Sequence, residues 1–290
     1  MVSRAEAFCP GHITAFFEIC PSDNPRRRGS RGAGLCTSLG VKTEVKVRDA
    51  ARQRVRIFLN GEEANADATY TAVRKLIDAR RLEVYVTSDV DLPVSQGFGM
   101  SGAGALSTAL ALNAAAKLGL SREEVVGIAH EAEVESGTGL GDIYPQSLGG
   151  MDLRLEPGGP PHGVVKRFDV AVPLLLCVIG PPMLTKSVLH DAEKAKVISA
   201  EGHRCVEEFK KGPTLENLFG LGREFAVRTG LAGSKLIEAI DSCGPYGKAS
   251  MSMLGNSVFC TGNLEVIATI LSPYGARFRC EVDSNGARLL

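Results

Sequence analysis

The sequence predicts an α+β fold in two halves, a glycine-rich N-terminal half and a C-terminal half of mixed strands and helices. Three observations carry this. In the first half strands come first and helices after them, while strand and helix patterns resume together in the second half. A nearly uncharged helix follows a glycine-rich loop. A turn-rich string, Glu156 to Gly163 (EPGGPPHG), marks a hairpin tip or a domain boundary. The chain has 290 residues, about two domains' worth. The expected division is 1–165 and 166–290.

Taken in order, Thr43 to Val47 and Val55 to Leu59 carry the alternation and β-branching of strands. Ala72 to Ala79 is helical in pattern and Leu82 to Thr87 is a short strand. The loop Pro93 to Gly104 leads into a helix over Ala105 to Leu118, whose lack of charge implies burial on most sides. Gly119 stops it. Ser121 and Glu124 form an S-x-x-E capping box that starts the next helix, which runs to about Glu135. A second glycine cluster, Gly137 to Asp142, precedes a strand over Met151 to Leu155. Leu174 to Ile179 reads as a buried strand. Ser187 to Lys211, Leu215 to Thr229 and Lys235 to Cys243 read as helices. Ser257 to Thr261 and Arg277 to Val282 read as strands with a helix between them.

Composition excludes several classes. Lysine plus arginine equals aspartate plus glutamate at 33 each, so the chain does not look like a nucleic-acid coat or a polybasic membrane binder. No apolar run approaches the ~20 residues of a membrane helix. No signal-peptide pattern opens the chain, so it reads as cytosolic. The 8 cysteines form no C-x-x-C pair and fit no zinc spacing, which makes them reduced, buried small hydrophobes for the most part. The run Arg26-Arg27-Arg28, with Arg31, reads as a solvated loop that lends field to an anionic site. Glycine is in excess, 33 residues where the usual share of roughly 7% gives about 20.

Residues Gly97 to Gly102 (GFGMSG) fit G-x-G-x-x-G, but the dinucleotide reading needs a second strand and an acid about 20 residues on. A helix follows the first helix instead, so that reading fails. No G-x-x-x-x-G-K-[ST] string exists, and Gly244 to Ser250 (GPYGKAS) has the wrong spacing. The protein-kinase motifs are also absent. Two readings of the loop stay open: a tight turn needing positive φ, or a backbone cradle for phosphate at a helix N-terminus, with Ser101 able to reach a magnesium ion.

The wider string Pro93 to Ala103 (PVSQGFGMSGA) resembles the second motif of the GHMP kinase superfamily. Cys9 to Glu18 (CPGHITAFFE) looks like its first motif, and Met253 to Phe259 (MLGNSVF) sits where the third belongs. Within the superfamily, PGHIT-x-FF, GSRGAG at Gly29 to Gly34, GFGMSGAGALSTALALN and AEVE-x-GTGLGD together resemble the archaeal pantoate kinases. The resemblance implies a two-domain GHMP kinase fold, with an N-terminal ribosomal-S5-like domain and a C-terminal ferredoxin-like domain. It also implies a cleft active site using ATP and Mg2+, phosphorylation of the terminal hydroxyl of pantoate in coenzyme A biosynthesis, and a homodimer. Two departures stand out. Met100 replaces the first serine of the second motif, and His12 replaces the lysine of the first.

On that resemblance Pro93, Gly97, Phe98, Gly99, Met100, Ser101, Gly102 and Ala103 hold ATP. Ser101 and Glu133 hold the metal, Glu133 being preferred to Glu131 by its distance from Ser101. Asp142 is the general base. From spacing alone it reads as the N-cap of a short turn over Ile143 to Ser147, a role compatible with that of the base. Arg154 is either a carboxylate clamp for the acceptor or an exposed strand arginine. His12, Ser30, His130 and Thr185 are further substrate candidates. Alternatives are a GHMP kinase acting on mevalonate or homoserine, and a non-catalytic ligand-binding relative.

Overall fold

The computed structural model describes residues 2–183 and 191–290. The chain opens on two long antiparallel strands, β1 (Ser3–Cys20) and β2 (Gly29–Asp49). Their register breaks twice, between Pro10 and Gly11 and between Thr14 and Phe16. Such bulges bend a ribbon, and the two ends of this one have different neighbours. Val41 to Asp49 of β2 pair with β5 (Leu82–Val90), beside which β3 (Arg54–Leu59) lies parallel. Gly32 to Leu35 pair instead with β6 (Met151–Glu156), which pairs with β7 (Val164–Phe168). β4 (Glu62–Glu63) and β12 (Arg288–Leu289) are short edges of this first sheet.

One face of the sheet is covered by α2 (Met100–Ala115), against which α1 (Asp67–Ile77) and α3 (Arg122–Ser136) pack. No charged residue occurs in α2, and nearly all of it is buried. α3 begins on the expected capping box. Ser121 Oγ accepts from the Glu124 N–H at 3.2 Å, and Glu124 Oε2 accepts from the Ser121 N–H at 2.8 Å. Ser121→Ala is expected to cost about 1 kcal/mol, read as a Tm about 2–4 °C lower in a thermal melt.

The second sheet has the order β11-β8-β10-β9, all antiparallel, from β8 (Pro173–Val178), β9 (Gly247–Ser252), β10 (Ser257–Gly262) and β11 (Arg277–Glu281). With α5 (Ala192–Lys211) after the first of these strands and α8 (Leu264–Ile270) after the third, this is the ferredoxin-like arrangement. Two further helices, α6 (Leu215–Arg228) and α7 (Ser234–Cys243), are inserted before β9. α5 and α6 also reach β1. Phe16 meets Phe209 edge-on, and Phe17 meets Phe225, each pair at 5.6 Å between ring centroids. One hydrophobic core therefore runs through both halves.

The structure corrects several sequence expectations. α1 begins at Asp67 rather than Ala72, and α2 at Met100 rather than Ala105, so part of the glycine loop is helix. The string EPGGPPHG is the tip of the β6–β7 hairpin. The expected division after residue 165 falls within β7, and the change of sheet comes between Phe168 and Pro173. The first residues of the helix expected from Ser187 lie outside the described residues. All eight cysteines are free thiols, as expected for a reduced chain.

Candidate active site

Gly99 ends the glycine loop in the left-handed region, at φ +67, and is the N-cap of α2. A Cβ there would lie 3.0 Å from the backbone N and O of His12, so the position needs glycine. The loop is held from outside. Gln146 Nε2 donates to the Gly99 carbonyl at 2.9 Å, and the His12 N–H donates to the Phe98 carbonyl at 3.0 Å. Ser257 Oγ donates to the Gln96 carbonyl at 2.5 Å. The late string Met253 to Phe259 thus buttresses the loop. The first N–H groups of α2, on Met100, Ser101 and Gly102, have no carbonyl earlier in the helix to bind. The turn thus needs glycine, and it presents a helix N-terminus.

That N-terminus opens into a cavity of about 590 Å³. Part of its wall is apolar, from Val41, Leu59, Val90, Pro93 and Val94. Another part is polar, from Thr14, Ser30, the Gly137 to Asp142 loop and Arg154. Ser101 is exposed on the wall, whereas Met100 is largely buried in the core behind it.

The polar end is built across three strands. β2 contributes Gly32 and Gly34, paired with Arg154 and Asp152 of β6 on one side and with Phe17 and Thr14 of β1 on the other. A Cβ on Gly34 would sit 2.7 Å from His12 Nε2, and one on Gly32 would sit 2.8 Å from Arg154 Nη2. The missing side chains let residues of β1 and β6 meet across the middle strand. The glycines of GSRGAG therefore act by their absence.

Four charged groups meet there. His12 is buried between two carboxylates, with Nδ1 3.0 Å from Asp142 Oδ1 and Nε2 2.7 Å from Asp152 Oδ1. Burial opposes its charge, but the Asp152 charge and the bonds to Asp142 and Asp152 outweigh it and raise its pKa to about 9. Arg154 donates to Ser30 Oγ and Thr14 Oγ1, each at 3.2 Å, and its Nε lies 3.5 Å from Asp152 Oδ2. It is buried, which corrects the exposed-arginine reading.

Asp142 is the N-cap residue of α4 (Ile143–Leu148), as its spacing predicts, but its side chain makes no cap bond and is free for another role. Its side chain is 26% exposed and points to the cavity wall. Burial raises its pKa. The His12 bond and charge, Arg154 and the Thr14 hydroxyl oppose this and leave it below the usual value, so it is ionised. Both of its hydrogen bonds, from His12 and from Thr14 at 3.2 Å, enter Oδ1. Oδ2 has no protein donor among the described residues.

Glu133 is buried on α3 beside the backbone of Gly102 and Gly139. Among the described residues its Oε2 has no hydrogen-bond partner. Burial and the Asp142 charge raise its pKa to about 8, against the pull of His12 and Arg154. An orphaned buried carboxyl oxygen beside the backbone of Gly102, the residue that follows Ser101, suits a cation. Among the described residues no group of three metal-binding side chains exists, but magnesium needs only one or two protein oxygens besides phosphates and water. Glu131 is engaged elsewhere, by Lys75 at 3.1 Å and Arg26 at 3.2 Å.

Other expectations place differently. His130 is buried with Nε2 2.9 Å from the Arg28 carbonyl, away from the cavity wall, so it fixes the loop before β2. Thr185 lies outside the described residues. Arg31 is a strand residue braced by Glu18 at 2.9 Å and Glu207 at 2.8 Å, not a solvated loop cation. Sequence reasoning missed Thr14 and Asp152. The available signals were the i,i+2 spacings His12/Thr14 and Asp152/Arg154, which place each pair on one face of its strand.

His12 binds its proton more tightly folded than unfolded, so its stabilisation is present below an unfolded pKa near 6.5 and is lost as pH rises through about 9. The contribution is roughly 3 kcal/mol. The Tm of the ligand-free protein is expected to fall between pH 7 and 10, and less steeply in His12→Gln. An equal slope in both would contradict this.

Comparison with known proteins agrees with the geometry. Residues 67–150 match the GHMP kinase N-terminal domain family. The chain is 37% identical over 270 residues to the pantoate kinase of Methanocaldococcus jannaschii, covering 91% of this chain and 95% of that one. A solved structure, described as a phosphotransferase related to the CoA biosynthesis pathway, superposes with a TM-score of 0.89. It is 32% identical and covers 100% of this chain and 99% of its own. Similarity to the homoserine kinase of Natronomonas pharaonis, 35% over 112 residues, covers only 38% of this chain and 35% of that one.

Proposed function

The chain belongs to the GHMP kinase family and, within it, to the pantoate kinases; from that premise we propose that its cleft moves the γ-phosphoryl group of ATP onto the terminal hydroxyl of pantoate. The observation that carries this reading is a buried arginine beside an aspartate with one free oxygen, in a cavity that also holds a helix N-terminus. The three features suit an acceptor that bears both a carboxylate and a hydroxyl, with a polyphosphate as donor.

Phosphoryl transfer depends on position and charge. The N–H groups of Met100, Ser101 and Gly102 receive the phosphates, aided by the α2 dipole. Magnesium, where bound, neutralises phosphate charge, and Glu133 and Ser101 are the residues that would hold it. Asp142 Oδ2 accepts the hydroxyl proton of pantoate and aims its oxygen at the γ-phosphorus. The new O–P bond forms as the bond from phosphorus to the leaving ADP oxygen breaks. With its pKa lowered, Asp142 is a weak base, which fits a loose transition state in which the proton leaves late.

Most donors of Arg154 are already engaged, so it does not offer a free two-pronged fork. Nη1 serves Ser30 and the Gly141 carbonyl, and Nε faces Asp152 without a hydrogen bond; toward the cavity one Nη2 hydrogen and the Ser30 hydroxyl hydrogen remain, and together they receive the carboxylate. The same reading makes the protein cytosolic, which its free thiols support, and extends to a homodimer. Among the described residues no helix is long and apolar enough to cross a membrane. A coupled ADP-release assay with pantoate, mevalonate and homoserine in parallel tests the acceptor. Turnover is expected with pantoate alone, and turnover with mevalonate or homoserine but not pantoate would contradict the reading.

A further inference from the structure

We propose that Asp152 is a positioning residue of the reaction: one buried carboxylate holds both cations that flank Asp142, and so couples the orientation of the base to that of the carboxylate site. The proposal rests on the roles given above to Asp142 and Arg154.

Asp152 is 1% exposed and does not line the cavity. Its Oδ1 receives His12 Nε2 at 2.7 Å, and its Oδ2 faces Arg154 Nε at 3.5 Å. An ionised carboxylate only accepts hydrogen bonds. A histidine with a carboxylate on each ring nitrogen must therefore donate from both, as an imidazolium. Asp152 thus fixes the charge of His12 as well as its ring plane. The groups facing His12 are Asp142, Thr14 and Asp152, with Arg154 and Glu133 beyond them. Asp142 and Asp152 against His12 and Arg154 sum to zero charge, the condition under which four ionised groups tolerate burial.

Without the Asp152 charge an asparagine oxygen still accepts from Nε2, but only Asp142 is left to hold the second ring proton, and the neutral ring can turn a bare nitrogen toward Asp142. Arg154 loses the contact that orients its Nε edge. Both consequences fall on the acceptor end, and neither touches the α2 N-terminus. Asp152→Asn is expected to lower kcat and to raise the pantoate KM, each by about tenfold or more, with the ATP KM unchanged. His12→Gln is expected to lower kcat with a smaller change in the pantoate KM. Asp152→Glu, which keeps the charge, recovers part of both losses. In 15N-histidine spectra at pH 7.5, His12 is protonated on both ring nitrogens in the parent protein and on one in Asp152→Asn.

Asp142→Asn, run alongside, separates the two levels. If it stays active, the base reading fails. If it is inactive while Asp152→Asn keeps its kcat and pantoate KM, the coupling alone is overturned. Loss of ATP binding in Asp152→Asn, in parallel with its other losses, would make Asp152 merely structural and also overturn the proposal. Where the variants do not fold, a neutral His12 in the parent spectrum overturns it by itself.

Discussion

Asp142→Asn lowers kcat by about 10²- to 10⁴-fold, the range general-base removal usually gives, while ATP still binds. Asparagine fills the same space. Its amide oxygen accepts the two donors that enter Oδ1, from His12 and Thr14. The NH₂ group then takes the place of Oδ2. That face changes from acceptor to donor, and the acceptor hydroxyl loses the group that orients it. Nothing at the α2 N-terminus changes, so the ATP dissociation constant stays near that of the parent. Steady-state kinetics with an equilibrium nucleotide titration check both halves. A fully active variant with unchanged pantoate KM would remove Asp142 from the chemistry.

Arg154→Ala acts at the other end of the same pocket. Truncating one member of a buried charge pair costs about 2–5 kcal/mol, or roughly 30- to several-thousand-fold. The loss is expected mainly in the pantoate KM, because the arginine meets the unreacting carboxylate. Part of it comes from Asp152, whose Oδ2 then faces no cation. Arg154→Lys restores charge but not the planar group that reaches Ser30 and Thr14 together, so recovery is partial. A pantoate KM unchanged in Arg154→Ala would discard the carboxylate site.

Much of this site is legible in the sequence, for reasons that differ by residue. Gly97, Gly99 and Ser101 are readable because a helix N-terminus exposed to a ligand demands small residues and positive φ in a short string. Asp142 and Glu133 are readable only through the resemblance. Spacing alone favours a cap for the first and a solvated helix face for the second; Asp142 does sit at the N-cap but without a side-chain cap bond, and Glu133 is buried. Asp152 and Thr14 escape because their roles arise from pairing across β2, which joins residues far apart in the chain. His130 misleads because burial and a loop carbonyl, not a ligand, occupy it.

The fold shows the same division. α2 and α3 announce themselves by absent charge and by a capping box. β1 does not, since Pro10 and Gly11 interrupt its middle, where the structure places a bulge. β9 (GKASMS) lacks β-branched residues and is held as a strand by its pairing with β10. The glycine excess is clearest at GSRGAG. Its glycines at 32 and 34 leave the gap through which the charged residues of β1 and β6 meet.

The 31P NMR spectrum of the product formed from ATP and pantoate shows which hydroxyl receives the phosphoryl group. Transfer to the terminal hydroxyl is expected to give ADP and a phosphomonoester resonance split into a triplet by the adjacent methylene. A doublet, from phosphorylation of the secondary hydroxyl, or ADP with no new phosphomonoester, would contradict it.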